Sequence, residues 1–228
     1  MIRPLPEVLV FDMDGVLVDV SASYREAIRR TVEHFTGKLV SQEQIQHYKN
    51  QGGWNNDWML ARRLIAEQGV QVPYAEVVDC FQRLFLGEDG EGLIRLERWV
   101  PAEGLLERLA GRFRLAIFTG RPRREAEITL ARFARQVRFD PLVADEDVIR
   151  SKPAPDGLLK IAAAAPGARL CYLGDTIDDA RAARAAGVTF VGVAAPASPR
   201  RVELVRLLQS EGALAVIEDV NQLEGLLA

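Results

Sequence analysis

Two aspartates separated by one residue follow an apolar run near the start of the chain. The run Val8-Leu9-Val10-Phe11 predicts a buried strand, which places Asp12 and Asp14 at its carboxyl end. Positions i and i+2 of an extended segment point to the same side, and Gly15 then allows a sharp turn. The two carboxylates can therefore serve one site. A turn with two solvated aspartates is the alternative that this segment leaves open.

A calcium-binding loop also begins with spaced aspartates and a glycine, so it must be compared with this segment. Here the glycine comes two positions too early, and the twelfth position is Ser23 instead of glutamate. An apolar strand also precedes the first aspartate. The sequence therefore argues against this type of calcium site.

Two later segments carry groups that suit a phosphate. Thr119 and Gly120 follow the apolar run 115–118 and offer a hydroxyl and free backbone N–H groups, although a Thr-Gly pair is by itself usually only a turn. Lys152 stands before Pro153, at the entrance of a predicted helix. Because the chain has only four lysines and uses arginine as its default cation, this position favours a positioned ammonium over a solvated surface charge.

A group of three aspartates follows another predicted strand, at 170–173. Asp175, Asp178 and Asp179 at one strand end repel each other unless a cation neutralises them, and a hard divalent ion with oxygen ligands is the usual solution. The alternative is that these aspartates cap the helix predicted at 180–186. We expect Asp178 to act as the cap, and Asp175 and Asp179 to be the better cation ligands.

These segments need a sheet that brings strand ends together. Short, continuously apolar runs alternate with helical patterns, as expected for parallel strands covered on both faces. The sequence therefore predicts a doubly wound α/β fold with a parallel sheet. The predicted strands lie at 8–11, 115–118, 141–144, 170–173, 188–193 and 215–217.

The interval from 19 to 98 is helical in pattern and interrupts this alternation. Capping boxes are expected at Ser23 with Glu26 and at Ser41 with Gln44, and Asn55 or Asn56 is expected to cap a third helix. We predict an inserted α-helical cap domain. Its bounds are 19–98, and those of the α/β core are 1–18 and 99–228.

The order of these motifs resembles that of the haloacid dehalogenase-like (HAD) hydrolase superfamily over nearly the whole chain. The matching motifs are DxDG at 12–15, the strand-end Thr119, Lys152 with Pro153, and GDxxxD at 174–179. The helical insertion resembles the C1-type cap of subfamily I, as in phosphoglycolate phosphatases. Its glycine- and asparagine-rich loop at 52–57 also resembles a small subgroup associated with histidinol phosphate.

The resemblance implies a Mg²⁺-dependent phosphatase acting on a small phosphorylated metabolite. Asp12 would be the nucleophile that forms an aspartyl-phosphate, and Asp14 would move the proton of the leaving group and then of the water. Thr119 and Lys152 would hold the phosphoryl oxygens. Mg²⁺ would bind the Asp12 carboxylate, the backbone carbonyl of Asp14 and Asp175, with Asp179 in direct or indirect contact.

Asp14 also separates reaction types within the family. Dehalogenating relatives lack an aspartate at this position, and phosphonate-cleaving relatives use a cap lysine as a Schiff base, whereas this insertion contains only Lys38 and Lys49. Phosphate-ester chemistry is therefore favoured. The alternatives are a phosphomutase of the same family and a non-catalytic module that binds phosphorylated metabolites.

Contacts to the leaving group are expected from the cap loop and from the loop after Thr119. The candidate substrate-binding residues are Gly120, Arg121, Lys49, Trp54 and Asn55. For the cap loop, packing of its tryptophans is an equally good interpretation. Packing and a solvated charge are expected for the neighbouring Tyr24 and Arg25.

The bulk composition is typical of a globular enzyme and excludes some partners. The formal net charge of −3 gives no reason to expect binding to nucleic acid or to an anionic membrane. A signal peptide and a membrane-spanning stretch are not expected, and Cys80 and Cys171 are interpreted as buried free thiols. We therefore expect a cytoplasmic protein.

Overall fold

The computed structural model describes residues 1–228, apart from the side chain of Asp89. The strands are β1 (Val8–Phe11), β2 (Val18–Asp19), β3 (Arg98–Trp99), β4 (Arg114–Phe118), β5 (Leu142–Val143), β6 (Leu170–Gly174), β7 (Thr189–Val193) and β8 (Ala215–Ile217). The α-helices are α1 (Tyr24–Thr36), α2 (Gln42–Gln51), α3 (Asp57–Glu67), α4 (Tyr74–Leu86), α5 (Leu105–Ala110), α6 (Arg123–Phe133), α7 (Asp156–Ala164), α8 (Ile177–Ala186), α9 (Arg201–Ser210) and α10 (Leu223–Leu226).

Six strands form one parallel sheet in the order β5-β4-β1-β6-β7-β8, which confirms the doubly wound α/β prediction. The ends of the predicted strands differ from those observed by no more than one residue. β1 lies between β4 and β6, with Phe11 opposite Ile117 and Leu173. The carboxyl ends of these three strands therefore meet at one edge of the sheet.

The two faces of β1 belong to two different hydrophobic clusters. Leu9 and Phe11 pack in one cluster, which also contains the apolar faces of the inserted helices. Val8 and Val10 point to the opposite face and pack in the second cluster. Because successive side chains of a strand alternate between faces, a strand covered on both sides must be apolar throughout, as this one is.

The helices α1, α3 and α4 pack on one another in the predicted insertion and bury one stripe of α1. The chain enters and leaves this region through β2 and β3, which pair antiparallel with Val18 opposite Trp99. The Trp99 ring stacks on Phe133 of α6 at 5.5 Å between centroids. The two connections are thus joined to each other and packed against the sheet domain.

Local capping signals predicted two of the inserted helices correctly. The amide of Gln44 donates to Ser41 Oγ at 3.1 Å, and the amide of Ser41 donates to the Gln44 side chain at 2.8 Å. The side chain of Asn56 accepts from the amide of Met59 at 2.9 Å. These caps confirm the starts expected for α2 and α3.

The capping box predicted at Ser23 is wrong. α1 begins after Ser23, but among the described residues the buried Ser23 hydroxyl has no capping bond. Glu26 instead accepts from Arg29 at 2.6 Å and from Arg30 at 2.9 Å. The arginines one turn further on compete for the glutamate, so the reciprocal cap does not form.

Both cysteines are buried free thiols, as predicted. Burial raises the pKa of the Cys171 thiol to about 12, so this residue behaves as a small apolar side chain of the sheet. Among the described residues, no helix combines the length and apolar character that a bilayer crossing requires.

Replacing Gly157 with alanine should destabilise the fold, since a Cβ there would lie 2.1 Å from the ring of Phe118. Overpacking of this kind costs about 1–3 kcal/mol. The matched control is Gly225→Ala in α10, where a Cβ meets nothing within 4 Å. Urea unfolding should show a lower free energy of unfolding for Gly157→Ala and no loss for Gly225→Ala. Equal effects of the two substitutions would contradict the packing argument.

Candidate active site

The acidic residues that the sequence placed at strand ends come together at the carboxyl edge of the sheet. Asp12 follows β1 and Asp175 follows β6, which pair in parallel register. Asp12, Asp175 and Asp179 each have a carboxylate oxygen within 4.8 Å of the others. Thr119 follows β4 on the other side of β1 and is buried. The site therefore lies where open α/β sheets bind ligands.

Lys152 supplies a buried positive charge to this cluster. Its Nζ lies 3.0 Å from Asp12 Oδ1 and 2.7 Å from Asp179 Oδ1, and its side chain is 1% exposed. The ammonium lies over the rings of Phe118 and Tyr172, 4.8 Å and 5.4 Å from their centroids. Burial by itself lowers the pKa of Lys152, but the two carboxylates raise it overall, so the ammonium remains charged.

Of the two aspartates in the first motif, Asp12 is the buried one, whereas the side chain of Asp14 is 30% exposed. Burial raises the pKa of Asp12 well above its usual range, and Lys152 opposes that shift. The Met13 amide donates to Asp12 Oδ1 at 2.8 Å, which orients the carboxylate. Lys152 favours the ionised form of this oriented carboxylate, which is the form that a nucleophile requires.

Asp179 is held in place by the start of α8. Its Oδ2 accepts from the Thr176 amide at 3.0 Å and from the Thr176 hydroxyl at 2.6 Å, while its Oδ1 accepts from Tyr172 at 2.6 Å. Burial favours protonation, but Lys152 and these donors lower the pKa of Asp179. The carboxylate therefore stays charged and is already fully engaged with protein donors.

The capping role expected of Asp178 is wrong. Thr176 and Asp179 form the capping box of α8. Asp178 instead accepts the Gly53 amide of the insertion at 2.8 Å and 2.9 Å, through its two oxygens. Thr176 occupies the N-cap position, which makes the residue three positions later the reciprocal partner.

The acidic cluster fits a hard divalent cation. Burial, followed by the charge of Asp179, raises the pKa of Asp175 to about 7. A cation with oxygen ligands would relieve the crowding of negative charge around Asp175. Gly15 has a φ of +71°, and a Cβ there would lie 2.1 Å from Asp175 Oδ2. Glycine is therefore needed for the close approach of the first turn to Asp175, and not only for the turn itself.

Two hydrogen bonds donated by backbone amides position the loop after β4. The Thr119 amide donates to Val143 at 3.0 Å, and the Arg121 amide donates to the Thr119 hydroxyl at 3.2 Å. Gly120 faces the insertion, because a Cβ there would lie 2.4 Å from the side-chain nitrogen of Asn55. Thr119, Gly120 and Asn55 are thus brought together across the cleft.

Arg121 is buried and lies against the first motif. Its guanidinium lies 2.5 Å from Asp14 Oδ1 and 2.8 Å from Glu97 Oε1. The substrate contact proposed for Arg121 therefore competes with two carboxylates of the protein. Nothing in the spacing of the sequence identified Glu97 as part of the site, since it lies far from every motif.

The insertion forms the opposite wall of the cleft. Lys49 Nζ lies 2.7 Å from Asp57 Oδ1, and Arg25 donates to Gln46 at 2.7 Å. The cleft is lined by Arg25, Lys49, Asn55, Asp57 and Trp58.

The structure shows the surroundings of three residues of the insertion for which the sequence left packing, solvent exposure or substrate contact open. Trp54, an expected substrate contact, packs edge to face on Tyr48 at 5.3 Å between centroids. Arg25 is half-buried, lines the cleft and donates to Gln46 at 2.7 Å. Tyr24 is buried against Phe85, as packing predicted, but its ring also lies 4.7 Å from the guanidinium of Arg121.

The buried carboxylate of Glu125 helps to hold the insertion on the sheet domain. Glu125 of α6 accepts the Tyr24 hydroxyl of α1, and Gln82 of α4 donates to it at 2.7 Å. Together with the Gly53–Asp178 contact, these bonds join the two sides of the cleft. Sequence reasoning missed Glu125, because its partners are 43 and 101 residues distant.

Several known proteins are similar in sequence to this chain. A family model described as haloacid dehalogenase-like hydrolase matches residues 6–187. The chain is 38% identical over 200 residues to an imidazoleglycerol-phosphate dehydratase of Phytophthora nicotianae, covering 83% of this chain but only 44% of that protein. It is 27% identical over 187 residues to a phosphoglycolate phosphatase of Cereibacter sphaeroides, covering 80% of this chain and 82% of that one.

Solved structures share the fold. A haloacid dehalogenase-like protein of unknown function from Agrobacterium tumefaciens superposes with a TM-score of 0.73 at 20% identity, over 96% of each chain. At this level of identity the similarity concerns the fold alone. It confirms the arrangement of the sheet and the inserted helices.

Cation binding should depend on pH, because Asp175 must lose its proton to act as a ligand. With a pKa of about 7 in the folded protein and a lower one in the unfolded chain, ionisation of Asp175 destabilises the metal-free fold as the pH rises toward 7. Mg²⁺ affinity should fall roughly tenfold per pH unit below that value. The Mg²⁺-induced increase in melting temperature should therefore be larger at pH 8 than at pH 6.

The control for this prediction is Asp175→Asn, which should reduce the pH dependence of the Mg²⁺ effect. Differential scanning fluorimetry of the metal-free protein, with and without added Mg²⁺, measures the increase in melting temperature at each pH. An equal stabilisation by Mg²⁺ at both pH values in the unmodified protein would contradict the assignment of Asp175.

Proposed function

The chain belongs to the haloacid dehalogenase-like hydrolases, and we propose that it is a phosphatase that hydrolyses a small phosphate monoester through an aspartyl-phosphate on Asp12. The observation that carries this proposal is the placement of Asp12. It is desolvated at the carboxyl edge of the sheet, with Lys152 at 3.0 Å and the acidic cluster of Asp175 and Asp179 beside it.

The electrostatic problem of the reaction explains why this combination is needed. An anionic carboxylate must approach an anionic phosphate, and two like charges about 4 Å apart repel by roughly 4 kcal/mol at an effective dielectric constant near 20. Lys152 offsets part of this repulsion. A divalent cation held by Asp12, Asp175 and the Asp14 carbonyl, with Asp179 beside them, would supply further positive charge at the phosphoryl group. We propose that this cation is Mg²⁺.

The first half of the reaction transfers the phosphoryl group to the protein. An oxygen of Asp12 attacks phosphorus, and the bond between phosphorus and the leaving oxygen breaks. Asp14, whose side chain is 30% exposed toward the cleft, donates a proton to that oxygen. Thr119 and the backbone around Gly120 donate to the phosphoryl oxygens.

The second half restores the protein. Water attacks phosphorus and gives its proton to Asp14, and the bond between phosphorus and Asp12 breaks to release phosphate. Lys152 holds Asp12 in place through both steps, because it contacts the carboxylate without occupying the cleft. Hydrolysis requires water to enter after the leaving group has departed, which distinguishes it from transfer to a second hydroxyl.

The cleft supports a small, polar leaving group. Arg25 and Lys49 present positive charge and Asn55 an amide on the wall opposite Asp12. The names of the relatives suggest phosphoglycolate and imidazole-bearing phosphate esters as the first compounds to compare, together with sugar phosphates. Release of phosphate from such a panel, measured with Mg²⁺, identifies the preferred substrate class.

Replacement of the nucleophile tests the proposal directly. Asp12→Asn should abolish turnover of the best ester, with a loss of at least ~10³-fold in kcat, because the amide cannot form the phosphorylated intermediate. The control Asp79→Asn removes an exposed carboxylate of α4 and should leave kcat unchanged. Unchanged turnover of Asp12→Asn, measured by phosphate release, would exclude Asp12 as the nucleophile.

Removal of divalent cations tests the role of the acidic cluster. Protein treated with a chelator and then freed of it should lose most of its activity, and Mg²⁺ should restore it, since the carboxylates would otherwise repel the phosphate. Initial rates before and after Mg²⁺ addition measure the effect, with Na⁺ at equal ionic strength as the control. Full activity of the chelator-treated protein would contradict the proposal.

A further inference from the structure

The guanidinium of Arg121 is the centre of a buried charge cluster that the reaction steps above do not use. Its side chain is 1% exposed, and it lies between Asp14 on one side and Glu97 on the other. Thr129 of α6 accepts from its Nη1 at 2.9 Å. Burying an arginine is costly unless its donors are satisfied, so this cluster needs an explanation.

The contact with Asp14 is made in a way that orients the carboxylate. Nε donates to Asp14 Oδ1 at 2.6 Å, and Nη2 lies 2.5 Å from the same oxygen. Two nitrogens of a planar, rigid fork on one oxygen restrict the rotation of the Asp14 side chain. Because Oδ1 is the oxygen taken by Arg121, Oδ2 is the one available for proton transfer in the cleft.

Residues at the two connections of the insertion in turn hold Arg121 in its position. Glu97 Oε1 lies 2.8 Å from Nη1, and Glu97 Oε2 accepts the Thr129 hydroxyl at 2.8 Å. Glu97 directly precedes β3, the returning connection. The ring of Tyr24, the first residue of α1, lies 4.7 Å from the guanidinium carbon.

A purely structural ion pair is the competing explanation. In that case an apolar side chain of similar size would serve as well, since buried ion pairs are often replaceable without loss of stability. The arrangement around Arg121 differs from such a pair because one of its carboxylates faces the cleft. The side chain of Asp14 is 30% exposed, whereas that of Glu97 is 0% exposed.

We infer that Arg121 is the positioning residue for Asp14, holding Oδ1 so that Oδ2 meets the leaving oxygen, with Glu97 and Tyr24 fixing the guanidinium when the insertion is seated. This inference rests on the proposed phosphatase function. It assigns Arg121 to the proton transfer rather than to the substrate contact that its sequence position suggested.

It follows that the loss of activity caused by removing Arg121 should depend on the leaving group of the ester. An alkyl phosphate releases a strongly basic alkoxide, which needs the proton of Asp14 as the bond to phosphorus breaks. 4-Nitrophenyl phosphate releases a weakly basic phenolate, which can leave without it. Loss of Arg121 should therefore affect the first ester far more than the second, whereas damage to folding or to phosphate binding affects both equally.

The experiment compares kcat/KM for the best alkyl phosphate and for 4-nitrophenyl phosphate in the Mg²⁺-loaded protein. Arg121→Met should lose on the order of 10²-fold with the alkyl ester and less than about 10-fold with the aryl ester, given the usual size of general acid catalysis. Arg121→Lys should fall between, because an ammonium lacks the planar fork. The control is Arg123→Met, whose side chain pairs with Asp147 away from Asp14, and it should leave the ratio unchanged.

A double-mutant cycle separates positioning from structure. In an Asp14→Asn background, Arg121→Met should add less than about 3-fold to the loss with the alkyl ester, because its partner is already absent. Equal losses with both esters, or fully additive losses in the cycle, would overturn the inference. If Arg121→Met does not fold, Glu97→Gln carries the test, and the same selective loss is expected. Failure of the phosphatase proposal is distinguishable, since the unmodified protein would then turn over neither ester.

Discussion

Repulsion between carboxylates at one edge of the sheet is the constraint on which the site depends. Asp12, Asp175 and Asp179 bring oxygens within 4.8 Å of one another, and Lys152 is the buried cation among them. Burial, and then the charge of Asp179, raises the pKa of Asp175, while Lys152 and protein donors keep Asp179 ionised. In the proposed function, the same negative charge would give a divalent cation its affinity and would hold that cation beside Asp12.

The fold holds the crowded carboxylates together through the packing of β1 and offsets their repulsion with two buried cations. β1 is apolar on both faces and lies between β4 and β6, so the cluster stands at the end of the two central strands of the sheet, β1 and β6. Lys152 and Arg121 each come from a loop next to this edge and supply positive charge from different directions. Lys152 contacts Asp12, and Arg121 contacts Asp14. The two aspartates of the first motif thus have separate cationic partners, which suits the different tasks that we propose for them.

The insertion contributes more than a wall of the cleft. Glu97 and Tyr24 lie at its two connections with the sheet domain, and both contact the guanidinium of Arg121. Glu125 and Asp178 hold its helices and its loop from the side of the sheet domain. The contacts of Arg121 therefore link the position of Asp14 to the two connections of the insertion.

The sequence by itself determined what depends on neighbouring residues. Apolar runs predicted the strands, and short capping patterns predicted the starts of the helices that begin after Ser41 and Asn56, since both signals are local. The order of motifs also indicated that Asp12 and Asp175 meet. Only the tertiary structure decided that Asp179 pairs with Thr176 in the capping box of α8 while Asp178 reaches Gly53, and that Arg121 contacts Asp14. A side chain with several possible partners takes the one that folding brings within reach, and residue spacing does not encode that choice.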